Sequence, residues 1–402
     1  MVYHLTFRTS QLVMTYPKIF LKKGKEVFIE RQHPWIFSGA LQAAKEKIVD
    51  GTIVEVFSAS NEYLATGHFF SGSIAVRILS FKKQTIDFNF WKQKIENAFQ
   101  YRVCLGLINN PNTNCFRLIN AEGDGLPGLI IDYYNGTAVF QAHTSGIYTQ
   151  KEIIAEALQA VLGNSLKAVF DKSDKTLSNT TNQYLFGKPE SDEVLENGNR
   201  FIVNWETGQK TGFFLDQRDN RKLLSHYSKG KKVLNAFCYL GGFSVYALNA
   251  GAESVDSVDV SKTAMQLTDN NIALCENGTS RHQSYTADVL EFLQKQETQY
   301  EVMVLDPPAF AKNISARHNA VQGYKRLNAM GLKKIAKGGI LFTFSCSQVV
   351  DRELFYNTIT AAAIEAKRNI RVMHHLNQPA DHPVNIFHPE GHYLKGLALY
   401  VE

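Results

Sequence analysis

The sequence contains no apolar run long enough to span a bilayer, no low-complexity tract, no long block of like charge and no repeat of solenoid length. Those absences argue against membrane-spanning, disordered and repeat architectures. Cysteine is scarce. The five present, Cys104, Cys115, Cys238, Cys275 and Cys346, are odd in number and scattered, with no C-x-x-C pair, which argues against a disulfide framework or a zinc site. His374, His375 and His382 have no metal-ligand partners at useful spacing, so no metal is expected. Met1 to Phe20 mixes His4, Arg8, Gln11 and Lys18 among its apolar residues and never attains a secretory core; the chain reads as cytoplasmic, with no membrane partner. Two nucleotide signatures are also missing, the G-x-G-x-x-G turn and the diphosphate-binding lysine loop, so nicotinamide and nucleoside triphosphate readings lose ground.

What is present is material for packed cores. The 402 residues are 44% apolar and 11% aromatic, more than one core usually serves, so two or three domains are expected. The net charge of +5 is modest but uneven: in residues 1–90, Lys and Arg outnumber Asp and Glu by 11 to 7. A basic first module suggests a polyanionic partner. A merely solubilising surface explains the charge equally well.

Residues 18–81 carry short strand-like runs between Gly and polar turns, at Glu26–Ile29, Thr52–Phe57, Tyr63–Phe69 and Ile74–Leu79, the pattern of a small β-rich domain. Between the first two lies His33-Pro34-Trp35-Ile36-Phe37-Ser38-Gly39, beside Lys22, Lys23, Lys25 and Arg31. Aromatics among basic residues suit stacking on bases beside phosphate contacts, with Lys22, Lys23, Arg31 and Trp35 as RNA-binding candidates; a hydrophobic plug explains Trp35 and Phe37 as well. Residues 82–190 read as a central α+β domain. Phe90–Leu107 and Thr149–Leu162 look helical, and strands Phe116–Ile119 and Leu129–Tyr134 flank a Gly-rich turn, Glu122–Gly128, that shapes a hairpin.

From residue 191 onward strands and helices alternate: Lys232–Asn235, Ser254–Asp259, a helix over Ser261–Cys275, Glu301–Leu305 and Gly339–Phe344. Repeated βα units predict an α/β fold with a Rossmann-like parallel sheet over 191–402. Ligands of such sheets bind beyond the carboxyl ends of the strands. Chemistry-bearing residues gather there: Gly241-Gly242 after the first strand, Asp259 at the end of the second, Asp288 past a third, Asp306-Pro307-Pro308 and Ser345-Cys346-Ser347 after the last two. A glycine pair lets a ligand approach the backbone, and an acidic side chain about 20 residues on accepts hydrogen bonds from ribose hydroxyls. Each is weak alone, since caps and turns use the same residues. Their ordered recurrence fits S-adenosyl-L-methionine, a nucleoside cofactor without a diphosphate.

A thiol opposite a carboxylate suits cytosine. C5 is a poor nucleophile until a thiolate adds to C6, which makes Cys346 a candidate nucleophile, and Asp306 a candidate contact to the amino group and N3 of the ring. A thiol pKa of about 8.5 must fall, or proton transfer must accompany attack. A packing role is the commoner fate of a free Cys; the neighbouring Asp-Pro-Pro and cofactor loop favour the nucleophile.

At these residues the sequence resembles the bacterial large-subunit ribosomal RNA cytosine-5 methyltransferases that carry an N-terminal PUA domain. The resemblance runs from about Lys18 over nearly the whole chain, through His33–Gly39, Phe116–Gly128, Lys210–Arg218, Ala380–Pro383 and Pro389–Gly396. It implies three domains: a PUA RNA-binding domain (18–81), a central α+β domain (82–190) and a Rossmann-like methyltransferase domain (191–402). Large-subunit ribosomal RNA is the implied partner, and a homodimer is compatible with it. It implies that Lys210, Phe214, Asp216 and Arg218 fold over the cofactor, that Asn235, Phe237, Tyr239 and Gly241 form the loop on its methionine side, and that Asp259, Asp288 and Asp306 complete its site. Met1–Thr15 is an extension without a counterpart, and Met14 an alternative start. Two other readings stay open: methylation of an exocyclic amino group of guanine or adenine, which needs no thiol and rests on Asp306 to Phe310, and a non-catalytic RNA-binding assembly factor. Ala309 between Pro308 and Phe310 weakens the first.

Overall fold

The computed structural model describes residues 16–43, 46–311 and 313–402; the expectations for Met1–Thr15 and Met14 lie outside them. Three larger sheets follow one another along the chain, and one apolar core joins Cys115, Tyr134, Val139 and Phe170 of the second to Val233, Val302 and Phe342 of the third.

The first, in the order β1-β3-β4-β5-β2, comprises β1 (Lys18–Phe20), β2 (Trp35–Phe37), β3 (Ile53–Phe57), β4 (Tyr63–Phe69) and β5 (Ile74–Ser80). Val54, Val56, Ala65, Val76 and Ile78 alternate into its core, the period-two pattern of a half-buried sheet. The run Glu26–Ile29 is not a strand. It forms one helical turn, α1 (Val27–Glu30), with Glu26 at its N-cap; only Ile29 is buried while Val27 and Phe28 face solvent, so no alternating face exists to pair. The edge strand is instead β2, drawn from the aromatic cluster.

The second sheet, ordered β10-β9-β8-β7-β6, joins β6 (Cys115–Asn120), β7 (Leu129–Tyr134), β8 (Thr137–Ala142), β9 (Ala168–Asp171) and β10 (Gln183–Gly187). Helices α2 (Phe88–Cys104), α3 (Ser145–Tyr148) and α4 (Lys151–Leu162) accompany it, and α2 and α4 bury Trp91, Ile95, Ile154 and Leu158 in the shared core. β6 and β7 pair antiparallel across the Gly-rich turn, as expected of a hairpin. The small hairpin β11 (Glu193–Glu196) and β12 (Asn199–Ile202) follows.

The third sheet has seven strands: β13 (Lys232–Ala236), β14 (Ser254–Asp259), β15 (His282–Thr286), β16 (Tyr300–Leu305), β17 (Ile335–Ser345), β18 (Ile370–Asn377) and β19 (Lys395–Val401), ordered β15-β14-β13-β16-β17-β19-β18. The helices are α5 (Arg218–Ser228), α6 (Gly242–Asn249), α7 (Lys262–Ile272), α8 (Val289–Lys295), α9 (Arg317–Lys334) and α10 (Arg352–Ala366). β13 to β17 run parallel, and Val302–Leu305 is at most 1% exposed, the continuous apolar run of a strand covered on both faces. The sheet is mixed rather than wholly parallel: β19 inserts antiparallel between β17 and β18. From β13 the chain winds outward through β14 and β15, then crosses to β16 on the other side. That reversal opens a crevice at the carboxyl ends of β13 and β16, where open α/β sheets bind ligands. Among the described residues no helix is long and apolar enough to cross a membrane.

Candidate active site

A cleft of about 410 Å³ occupies this crevice. Lys210, Phe214, Asp216, Phe237, Tyr239, Asp259, Asp288, Asp306 and Cys346 line it, so nine of the sequence-derived candidates converge there. Three others do not line it. Asn235 is buried in β13, where its Nδ2 donates to Ser244 Oγ at 2.8 Å. Gly241, where the loop after β13 enters α6, is not among the lining residues, and Arg218 is committed to a bidentate ion pair with Asp381, both contacts at 2.9 Å.

The loop after β13 is held in an unusual shape. Phe237, Tyr239 and Gly241 all have positive φ, at 61°, 50° and 79°, a conformation that costs L side chains free energy and that clusters at ligand sites. Asp259 anchors it: one carboxylate oxygen accepts from the Tyr239 amide at 3.1 Å and the other from the Ser261 amide at 3.0 Å. Thr268 Oγ1 donates to the Tyr239 carbonyl at 2.8 Å, and the Tyr239 hydroxyl donates to the Gly212 carbonyl at 3.0 Å. The glycine pair also answers a demand of the fold itself, while Gly242 does line the cleft. A Cβ on Gly241 would meet Thr268 Cγ2 at 2.9 Å, and one on Gly242 would meet Arg221 Cδ at 3.1 Å; both clashes are with the protein itself. Gly241→Ala is expected to cost about 1–3 kcal/mol in urea denaturation by straining φ and displacing Thr268. Gly39→Ala, where nothing lies within 4 Å, serves as a near-neutral control.

The Lys210–Gln217 segment closes the cleft from above. Lys210 Nζ stands 4.5 Å from the centre of the Phe214 ring, and that ring meets Tyr239 edge-on at 5.1 Å. Asp216 is buried. Its Oδ2 accepts from the Tyr393 hydroxyl at 2.7 Å, while Oδ1 is buried with no partner among the described residues. Burial alone would raise this carboxyl, but Lys210, His382 and the Tyr393 hydroxyl outweigh it and hold it below its ordinary value. An ionised carboxylate with one orphaned oxygen facing a cleft fits a ligand ammonium group. Asp288 caps α8 through the Leu290 and Glu291 amides and is exposed at the cleft's far side.

At the opposite wall sit the carboxylate and the thiol. Asp306 follows β16, and its Oδ2 accepts from Gln217 Nε2 at 2.9 Å. Burial, then the Asp216 charge, push it up to about 7. Cys346 follows β17; burial, then the Asp306 charge, raise its thiol, with Lys210 pulling the other way. The resting thiol is therefore protonated at neutral pH, so proton transfer has to accompany any attack. Sequence reasoning missed Gln217, Arg221 and Lys395. Arg221 lines the cleft and forms a buried bidentate pair with Glu196 at 2.7 and 2.8 Å. Lys395, opposite Ser345 in the sheet, donates to the Ser347 carbonyl at 2.8 Å, and burial lowers it to about 8. Their partners are remote in sequence, so spacing carries no signal for them.

The RNA candidates divide. Lys22, Lys23 and Arg31 are exposed. Trp35 is half-buried between domains, its Nε1 donating to Glu122 Oε1 at 2.9 Å and its ring 4.3 Å from that of His388, so an interdomain contact holds it rather than a free stacking platform. The exposed aromatics beside the basic residues are Phe28 and Phe37, 47% and 41% exposed. His374 bonds to the Tyr227 hydroxyl at 2.7 Å and His382 Nδ1 to Asp381 at 3.1 Å.

Comparison with known proteins gives the family. Residues 152–388 match the profile of the S-adenosylmethionine-dependent methyltransferase family, and residues 19–81 that of the PUA-like domain. Ribosomal RNA large subunit methyltransferase I of Aeromonas hydrophila is 37% identical over 395 residues, covering 95% of this chain and 98% of its own. The protein of that name in Shewanella frigidimarina is 39% identical over 398 residues, covering 96% and 99%. A SAM-dependent methyltransferase from Streptococcus mutans superposes with a TM-score of 0.82 at 23% identity, over 96% of this chain and 100% of that one; a methyltransferase solved with SAH does so with the same values. At that identity the two structures speak for the fold alone. The two family matches and the relatives spanning nearly its whole length make this chain a member of the S-adenosylmethionine-dependent methyltransferase family, with a PUA-like domain at its N-terminal side.

Proposed function

We propose that this protein methylates C5 of a cytosine in large-subunit ribosomal RNA, with Cys346 as the covalent nucleophile. The observation that carries the reading is the convergence of a thiol and a carboxylate of pKa about 7 on the wall of the cofactor cleft. The names of the relatives support the substrate class.

Asp216 suits the amino group of the cofactor's methionine moiety, Asp259 its ribose hydroxyls, and Asp288 with the 66% exposed Val260 the adenine edge and face. When bound, S-adenosylmethionine supplies an electrophilic methyl group on a sulfonium. The protein's part is to make C5 nucleophilic. Cys346 Sγ bonds to C6, the C5=C6 electron pair moves to C5, and N3 takes up a proton. Asp306 is placed to handle that proton. Its carboxylate accepts the one the thiol releases, and as a carboxylic acid it donates to N3. Once C5 is substituted, water takes its proton, the C–H electron pair restores the C5=C6 double bond and expels the thiolate, and the N3 proton returns through Asp306 to the leaving thiolate.

The reactive state of this pair holds one proton between the two groups, whichever carries it. Below about pH 7 Asp306 is protonated and cannot accept the thiol proton. Single-turnover methyl transfer is therefore expected to rise with pH through about 7 and then level off. Asp306→Asn is expected to remove that inflection and to lower the plateau by about 10²–10⁴-fold; an inflection unchanged in the variant would refute the assignment.

The reading is tested by nucleoside mass spectrometry on ribosomal RNA incubated with the purified protein and labelled cofactor. Label in 5-methylcytidine is expected. Label in N2-methylguanosine or N6-methyladenosine would favour the Asp306-centred amino chemistry, and no label a non-catalytic role. Phe28 and Phe37, beside Lys22, Lys23 and Arg31, suit the grip on the substrate. Lys22→Glu with Lys23→Glu is expected to weaken RNA binding and flatten its salt dependence by about two charges, measured by filter binding across a salt series.

A further inference from the structure

We propose that His33, His388 and Glu390 form a zinc(II) site that fastens the N-terminal β domain to the C-terminal segment ahead of β19. Their donor atoms lie within 4.8 Å of one another. His33 Nε2 stands 3.7 Å from one Glu390 oxygen, and His388 Nε2 stands 3.8 Å from the other. Ligands about 2.0–2.1 Å from a tetrahedral zinc are separated by roughly 3.3–3.4 Å, so each histidine need close on the carboxylate by about 0.3–0.5 Å, and the widest pair of donors by no more than about 1.5 Å.

A second observation points into the same space. His388 is 3% exposed, and neither of its ring nitrogens has a partner among the described residues. A buried imidazole in that state forfeits the hydrogen bonds it had in water, and a metal ion is the partner that takes a neutral ring nitrogen as donor. His33 is prepared for the same role. Its Nδ1 accepts from the Trp35 amide at 3.1 Å and lies 3.3 Å from the Trp35 carbonyl oxygen, so one Trp35 group or the other partners this nitrogen in either tautomer. Zinc binding at Nε2 selects the Nδ1–H tautomer, in which the carbonyl takes the hydrogen bond and the amide contact is given up. A backbone carbonyl fixing the far nitrogen is the usual outer contact of a zinc-binding histidine.

The donor set chooses the metal. Two imidazoles and one carboxylate suit zinc and its first-row neighbours rather than calcium or magnesium, which prefer all-oxygen sites. Glu390, 51% exposed, lies on the solvent side, where a water completes four-coordination. The ring of His33 also lies 6.5 Å from Phe28 and 6.2 Å from Phe37. A metal at this point therefore fixes the exposed aromatic surface relative to the cleft-bearing domain, bypassing the covalent route through residues 82–190.

The test uses the full-length chain without a histidine tag, stripped of metal by chelator dialysis and titrated with Zn²⁺ against a chromogenic chelator. One equivalent is expected to bind, with a rise in melting temperature that grows with free Zn²⁺. Glu390→Gln, an exposed substitution that leaves the core intact, is expected to weaken binding by at least about 10-fold, and His388→Gln to abolish it; circular dichroism verifies that both variants fold. Cobalt(II) in place of zinc is expected to give tetrahedral absorption bands in the wild type alone. Failure of the wild type to bind an equivalent of Zn²⁺, or equal binding by wild type and Glu390→Gln, overturns the proposal.

Discussion

Cys346→Ala is expected to reduce methyl transfer by on the order of 10⁴-fold or more, the scale seen when a covalent nucleophile is removed, while S-adenosylmethionine binding stays within about twofold. The separation follows from geometry. The thiol stands on the wall formed by the ends of β16 and β17, whereas the groups suited to the cofactor come from the Lys210–Gln217 segment and the ends of β13 and β14. Loss of the thiol also removes a partner charge that Asp306 feels only when Cys346 ionises, so the resting cleft is little disturbed. Isothermal titration with S-adenosylmethionine and a single-turnover assay on ribosomal RNA measure the two halves. Equal turnover in the variant would reduce Cys346 to a packing residue and transfer the chemistry to Asp306.

Asp381→Ala is expected to destabilise the protein by about 3–5 kcal/mol, the cost of leaving a buried partner charge uncompensated. Asp381 is fully buried, and four donors converge on its carboxylate: Arg218 twice at 2.9 Å, the Arg117 amide at 3.0 Å and His382 at 3.1 Å. Its backbone carbonyl accepts from Arg102 at 2.7 Å. One residue thus joins α5, the second sheet and the segment before β19. Burial would raise this carboxyl, but Arg218 and His382 hold it far below the ordinary carboxylate range. A depressed native pKa contributes stability that is complete above the unfolded value of about 3.9 and is lost as pH falls below it. Wild-type stability is expected to fall below about pH 4, and the Asp381→Ala variant to lose part of that dependence. Urea denaturation at pH 7 and across pH 3–5 measures both. A variant as stable as wild type would show that the pair's desolvation cost cancels its attraction.

The sequence made the catalytic domain readable because its strands are covered on both faces. Ser254–Asp259 has the bounds expected of it, and Tyr300–Leu305 differs from Glu301–Leu305 by one residue; the buried valines of the first and an apolar run stopped at Asp306 in the second mark where each ends. The convergence of Asp259, Asp288, Asp306 and Cys346 follows from strand order and the rule that ligands bind at carboxyl ends. Elsewhere tertiary context decided. Glu26–Ile29 carries strand-forming residues, yet only Ile29 among them is buried. β18 alternates half-exposed and exposed residues, so its apolar signal is faint. Arg218 lies in a segment that does close the cleft, but its partner Asp381 is 163 residues away, and no local pattern separates a residue facing the cleft from one turned into an ion pair. Gly241-Gly242 was a correct marker of the loop for an incomplete reason: its close neighbours are Thr268 and Arg221. The His33, His388 and Glu390 cluster was unreadable for the same cause, since spacing rules for metal sites work only within short segments.

The most direct measurement is trapping on 5-fluorocytidine-substituted ribosomal RNA in the presence of S-adenosylmethionine, comparing wild type with Cys346→Ala by denaturing electrophoresis. Fluorine in place of the C5 proton blocks the final elimination, so the bond from Sγ to C6 persists. A denaturation-resistant adduct in wild type and none in Cys346→Ala is the expected result, and it fixes base, ring position and nucleophile together. Absence of an adduct, with methyl transfer still detected on unsubstituted RNA, would contradict the covalent cytosine mechanism.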